Sequence, residues 1–497
     1  MKKSIALRAL LALMLMMGFY ILGLAVAIIL LYIPYAEWTY AGRLHMKLAF
    51  FCVVGAVIIL ISLVPRRNKF VQPGPLLHES EHPCLFSEIK KVCELTGQEM
   101  PREVYLVTEV NAWVSQYSGF LGMGSKRILG LGLALLQTLD VSELRAVLIH
   151  EFGHYYAGDT RLAPWVYKTR GAIERTLQGL GGHSSMLQKP FLAYGKMFLK
   201  ISHTVSRAQE LTADRLAARI AGADNFISGL TKIHAISPAF EPYWRDELAP
   251  VLGSGFLPPV AEGFSKFIKA NNVAKALANN LQTQMDKGTA DSYDTHPPLK
   301  ERIDAVKVIQ GKEFNDANQL PAISLLENIN ELEKQLLASI TDKKSVDALR
   351  VIDWEDTAEK VYIPFWESIM QGQTIGLKDI TPVDIPRIAN NVSSFAEGLK
   401  VKTEDNISHA VLANKVIGSA LSYILYKKGW NVNTLPGEPI VLQKDDMSIE
   451  PFTVLSDFST GKLREEEWIE ICRNAGIDAI NIGRVAVGGF QREEQMV

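Results

Sequence analysis

Asp140-Val141-Ser142-Glu143-Leu144-Arg145-Ala146-Val147-Leu148-Ile149-His150-Glu151-Phe152-Gly153-His154 is the stretch on which the fold turns. Asp140 with Glu143 three residues on is a capping-box pattern, and Leu144, Val147, Leu148 and Phe152 form one apolar stripe. The spacing predicts a helix that carries His150 and His154 four residues apart on one face, with Glu151 beside them. This is the pattern HExxH, in which two imidazoles can grip one metal ion. A glutamate in so apolar a helix is costly to bury unless a site uses it.

A catalytic zinc takes three protein ligands and keeps one position open, so a third donor has to follow. The longer pattern HExxHxxGxxH stops here, because Ala157 stands at its glycine position and Thr160 at its last histidine. Farther on, Glu210-Leu211-Thr212-Ala213-Asp214 lies in a helical segment, 205–220, and places two carboxylates on one face. Such a pair is ordinarily a solvated helix face; the HExxH partner gives it another meaning. Glu210 is then the candidate third ligand and Asp214 the group that hydrogen-bonds a ligand histidine from behind. His203, seven residues before Glu210 and nearly on the same face, is the rival ligand.

With Asn111-Ala112-Trp113, with HEFGH followed by Gly158-Asp159, and with Thr295-His296-Pro297-Pro298 and Arg302-Ile303, these residues resemble the gluzincin metallopeptidases that include HtpX-like membrane proteases and CAAX prenyl proteases. The resemblance spans about residues 75 to 310. It implies a zincin-like core with one Zn(2+) per chain on His150, His154 and Glu210, Glu151 as general base, and His296 near the reacting carbonyl. Asn111-Ala112-Trp113 looks like the family's substrate-binding edge, to which an extended polypeptide could add through main-chain hydrogen bonds. His296 precedes two prolines that restrict the backbone and could start a helix, so its imidazole is placed to stabilise an oxyanion.

Upstream, Ala9 to Ile33 carries no charge and is long enough to span a bilayer as a helix, and a second apolar run extends from Leu48 to Val64. The two read as a transmembrane hairpin, with Tyr32, Tyr35, Trp38 and Tyr40 gathered around the connecting loop. A signal peptide cut after Ala25-Val26-Ala27 is the competing reading, but Ile28-Ile29-Leu30-Leu31 continues the apolar run and a second span follows. Lys2, Lys3 and Arg8 before the first span, and Arg66, Arg67 and Lys69 after the second, outnumber Arg43 and Lys47 in the loop. Both ends, and the catalytic domain with them, are therefore expected on the cytoplasmic side of a cell or inner membrane.

Short strands are expected at Val104–Val107 and Arg127–Gly132, separated by Asn111-Ala112-Trp113 and a loop with Gly119, Gly122 and Gly124. The chain is mainly helical from Leu133 to about residue 310, and no later apolar run reaches spanning length. Loops at 181–185 and 253–259 are either lids or ordinary surface loops. Ile329, Leu332, Leu336 and Ile340 make one further apolar helix stripe. The fold class is accordingly mainly α with a small β-sheet, a zincin-like metallopeptidase core behind a two-helix transmembrane hairpin and before an α+β C-terminal domain. The boundaries are 1–70 for the anchor, with spans at about 9–33 and 48–64, 75–313 for the peptidase domain and 320–497 for the last domain.

The 52 Lys and Arg against 54 Asp and Glu give nothing that draws the chain to nucleic acid. Cys52, Cys84, Cys93 and Cys472 are scattered and form no framework, as in a reducing compartment. The partners implied are polypeptide substrates and the lipid bilayer. The reading from a different class is an inactive, membrane-tethered binding or chaperone-like protein with a structural zinc site, against which an intact Glu151 argues.

Overall fold

The computed structural model describes residues 2–64, 70–117, 126–156, 163–181, 185–286, 296–310, 318–399 and 408–486. Arg66, Arg67, Lys69, the glycines at 119, 122 and 124, Ala157 to Thr160, the loop residues 182–184 and Thr295 lie outside the described residues. The chain divides into two compact units, one of residues 1–238 with 278–341, the other of residues 239–277 with 342–497. It is mostly helical with small sheets, as expected.

In the first unit, helices α1 (Lys2–Ala41) and α2 (Met46–Leu63) form the apolar hairpin. Both are long and apolar enough to cross a membrane, over Leu13–Ala41 and Met46–Leu63. The first apolar helix continues past the expected end of the span at Ile33, through Pro34 to Ala41. For the same reason Tyr32, Tyr35, Trp38 and Tyr40 stand on the last turns of a helix, exposed, where a loop was expected. At that position amphipathic rings favour the boundary between acyl chains and water.

A four-stranded sheet follows, made of β1 (Leu76–Leu77), β2 (Glu103–Val107), β3 (Ala112–Tyr117) and β4 (Lys126–Gly132), in the order β1-β2-β4-β3. Between β1 and β2 comes helix α3 (Pro83–Thr96). Strands β2 and β4 are parallel, with Glu103 opposite Ile128, and β3 runs antiparallel to β4, with Ala112 opposite Leu131. The two expected strands are present, and the tripeptide read as a separator opens a third one on the sheet edge. Trp113 lies over Gly130, where a Cβ would come within 2.4 Å of the indole ring, so this cross-strand pair needs glycine.

After the short helix α4 (Leu133–Thr138) comes α5 (Val141–Tyr156), the HExxH helix. Its capping box is formed: Glu143 N–H donates to Asp140 Oδ1 at 2.8 Å and Asp140 N–H to Glu143 Oε2 at 2.9 Å. Main-chain bonds from Val141 to Leu320 and from Ala322 to Leu139 then tie the later segment 318–322 to the start of this helix. Buried Arg145 donates to Glu88 from α5 to α3 at 2.8 and 3.0 Å. Two long helices complete the frame, α6 (Ala163–Gly181) and α7 (Ser185–Ala221). Gly153 lets α5 and α7 approach, since a Cβ there would lie 3.3 Å from the Ala213 Cα. Ile329–Ile340 is a helix as its stripe predicts, with Leu332 and Leu336 buried and Ile340 exposed at its end.

The second unit has its own core, built around Trp366, Ile417, Leu421, Ile424 and Trp468. It carries a three-stranded antiparallel sheet of Asn431–Asn433, Val441–Lys444 and Met447–Ile449. The segment 253–259 belongs here. Phe256–Leu257 pairs in parallel with Arg350–Val351, and Trp354 Nε1 donates to the Pro259 carbonyl at 2.9 Å.

Candidate metal centre

Helix α5 presents His150 and His154 from one face, their rings 4.9 Å apart and at 84° to one another. Helix α7, packed across it, brings Glu210 and Asp214 to the same place. Glu210 lies with one oxygen 3.5 Å from His150 Nε2 and the other 3.6 Å from His154 Nε2. One ligand atom from each of these three residues falls within 4.8 Å of the others. Glu210 Oε2 is buried without a hydrogen-bond partner. Separations near 3.5 Å are long for hydrogen bonds and close to the roughly 3.3 Å edge of a tetrahedron of N and O ligands around zinc. The donor set therefore fits a metal ion.

Behind these residues stands a buried polar relay. Asp214, fully buried, has Oδ1 2.9 Å from His150 Nδ1, which leaves Nε2 as the atom turned towards Glu210. Arg302, on the helix Leu299–Val306, donates to both Asp214 oxygens at 2.7 and 2.9 Å, and its Nη2 lies 3.5 Å from Glu210. Burial works against the charge of Asp214, but Arg302 and His150 outweigh it and hold the carboxyl below its usual range. Burial opposes the charge of Glu210 too, but His150 and His296 outweigh it and hold this carboxyl far below its usual range. His150 responds in the opposite direction, raised to about 9 as Asp214 and Glu210 outweigh desolvation. His154 is lowered to about 4 by burial and by the neighbouring His150.

Glu151 has a different environment. Its side chain is 18 % exposed and 3.9 Å from His150 Nε2, and burial raises its carboxyl to about 7. His296 stands at the rim, 62 % exposed, with Nδ1 3.3 Å from Glu210 Oε2. It precedes a helix whose N-cap is Pro298, as the double proline suggested. The rival His203 is buried on α7 but falls outside the cluster of His150, His154 and Glu210. Asn111 leads into β3, which among the described residues is the outer strand of the sheet, and that strand contacts α5, so this edge runs beside the HExxH helix.

Sequence reasoning noted Arg302 without giving it a task. A fully buried Asp214 demands a cation, yet nothing local indicates which one, because Arg302 lies 88 residues away in the chain. Phe226, whose ring stacks on His150 at 5.8 Å, was missed for the same reason.

Two histidines and a glutamate thus converge beside a buried Asp–Arg pair, in an arrangement that could hold a metal ion. Residues 79–310 match the model of peptidase family M48, and the HtpX-like resemblance read from the motifs holds over that segment. Among curated proteins it is similar to the protease HtpX homolog of Archaeoglobus fulgidus, 25% identical over 236 residues, covering 45% of this chain and 66% of the relative. It is also similar to protease HtpX of Acinetobacter baylyi, 23% identical over 299 residues, 54% of this chain and 88% of the relative. Protease HtpX of Xanthomonas axonopodis pv. citri is 25% identical over 249 residues, 46% of this chain and 72% of the relative. No solved structure matches the chain.

Proposed function

We propose that this chain is a membrane-anchored, zinc-dependent endopeptidase that cleaves polypeptides at or near the membrane surface, with misfolded membrane proteins or exposed loops as substrates. The observation that carries the reading is buried Glu210, whose unbonded Oε2 lies 3.5 Å from His150 Nε2 and whose Oε1 lies 3.6 Å from His154 Nε2, both long for hydrogen bonds. His150, His154 and Glu210 would hold one zinc ion, which when bound supplies Lewis acidity and lowers the pKa of a water from about 15.7 towards about 7.

The chain's own residues perform the remaining tasks. Glu151 takes the proton of the attacking water and returns it to the leaving amine, and a carboxyl raised to about 7 suits both transfers. His296 at the rim donates to the oxyanion that develops on the scissile carbonyl. Asp214, clamped by Arg302, fixes the tautomer and direction of His150. An extended substrate adds to the outer edge of β3 at Asn111, Ala112 and Trp113. A structural zinc site would need no carboxylate of this kind beside its ligands. The excess of basic residues flanking the hairpin supports a cytoplasmic catalytic domain anchored to the cell or inner membrane.

Metal removal tests the reading. Chelation should strip about one zinc per chain and abolish casein cleavage, and added zinc should restore both. Cleavage that survives complete loss of the metal would refute it.

A further inference from the structure

From Ser185 to Gln209, α7 contains Lys189, Lys196, Lys200 and Arg207 and no aspartate or glutamate, in a chain whose net charge is −2. Spacings of seven and four put Lys189, Lys196 and Lys200 on one stripe of the helix. All three are exposed, and among the described residues none has an ion-pair partner. Large apolar side chains flank them in the open: Met186 at 80%, Leu192 at 42% and Met197 at 42% exposure. A helix in water does not keep such a face without something to cover it.

The opposite face of the same helix shows what that is. Phe191 and Phe198 are fully buried in one cluster with Met16 and Phe19 of α1 and with Ile59 and Leu63 of α2. Leu187 reaches the level of Gly55 and Leu30, deep in the apolar hairpin, while Tyr194 donates its hydroxyl to the Leu15 carbonyl at 2.6 Å, near the start of the apolar window. The first turns of α7 therefore run along the hairpin towards the N-terminus of α1, and Tyr194 stands beside Gly18 and Phe19. Met186 lies beside the apolar span. Lys196 and Lys200, beyond Tyr194, come level with its N-terminal edge, where Lys2, Lys3 and Arg8 occur in the sequence.

We propose that the exposed face of α7 is a lipid-docking surface, its apolar start immersed in the leaflet beside the hairpin and its lysine stripe bound to anionic phospholipid headgroups. The proposal rests on α1 and α2 crossing a bilayer. Charge complementarity and continuity with the hairpin name the occupant: acyl chains cover Met186 and Leu192, and phosphates meet Lys196 and Lys200, with Lys189 reaching along the helix towards them. Because α7 runs unbroken for 37 residues to Ala221, about 55 Å, the lipid would hold the helix that carries Glu210 and Asp214.

The full chain, with Cys84, its one exposed cysteine, replaced by serine, can be labelled with an environment-sensitive fluorophore at Met186→Cys or Ile28→Cys. It would be reconstituted in phosphatidylcholine alone or mixed equally with phosphatidylglycerol. Both labels should be quenched by chain-brominated lipid and shielded from aqueous iodide. Energy transfer to labelled lipids should show phosphatidylglycerol enriched around the protein. The Lys189→Glu, Lys196→Glu, Lys200→Glu variant should lose that enrichment by roughly fivefold or more, and the triple Lys→Arg variant should keep it. A Met186 label open to iodide, or shielded from both quenchers by a protein partner, while the Ile28 label is lipid-quenched, would overturn the proposal alone. An Ile28 label open to iodide would overturn the spanning hairpin itself. Undiminished enrichment in the Lys→Glu variant would overturn the headgroup assignment.

Discussion

Arg302 makes its contribution through Asp214, which it meets with two parallel donors, and Asp214 in turn faces His150 Nδ1. Replacing it by methionine should weaken zinc affinity by roughly 10- to 100-fold, and lysine should rescue little, because one ammonium cannot reproduce the two-pronged contact. Competition with a chromophoric chelator would measure this, and unchanged affinity would contradict the relay. His296 belongs to a separate class. Being largely exposed at the rim, it can be cut back to alanine without opening the core. His296→Ala should lower turnover by roughly a hundredfold with zinc content and KM nearly unchanged. A parallel fall in zinc would make it a ligand, and unchanged turnover would return it to the surface. At this scale the cluster of His150, His154 and Glu210 was legible because each residue sits in a local pattern, HExxH or an acidic pair four residues apart. Arg302 was not, since what marks it is a partner reached only by folding.

Helix α5 owes its position to three features of its first half: the Asp140–Glu143 box, the tie of Glu143 to Ser228 and Lys232 at 2.5 and 2.7 Å, and Arg145 to Glu88. Burial opposes the Glu88 carboxylate, but Lys91 and Arg145 outweigh it, so its pKa is lowered in the folded chain. Its contribution to stability is complete above the usual glutamate range and fades as pH falls through the lowered value. Glu88→Gln should therefore cost about 2 kcal/mol near neutral pH, and variant and parent should converge in acid. Thermal unfolding of the detergent-solubilised chain across pH would show it, and a gap that widens in acid would contradict it. The box and the stripe made α5 readable from sequence, and the apolar runs at 104–107 and 127–132 did the same for β2 and β4. Ala112-Trp113-Val114-Ser115-Gln116-Tyr117 was harder to read. An edge strand half open to solvent carries polar residues on the alternation that would reveal it.

Across the whole molecule, the hairpin shares one compact unit with α5 and α7, so on the proposed reading the side of the membrane on which α1 begins fixes where catalysis would occur. In sealed, right-side-out vesicles added protease should leave the catalytic domain intact and digest it only after lysis. Digestion from the outside in intact vesicles would reverse the orientation. Whether the cluster on α5 and α7 is a working zinc centre with Glu151 as its base is decided by measuring zinc content and casein cleavage together in Glu151→Gln and Glu210→Ala. Glu151→Gln should keep about one zinc per chain and lose cleavage, because an amide is a poor base, while Glu210→Ala should lose the metal itself. Cleavage at the parent rate by Glu151→Gln, or full zinc occupancy in Glu210→Ala, would contradict that reading of the cluster.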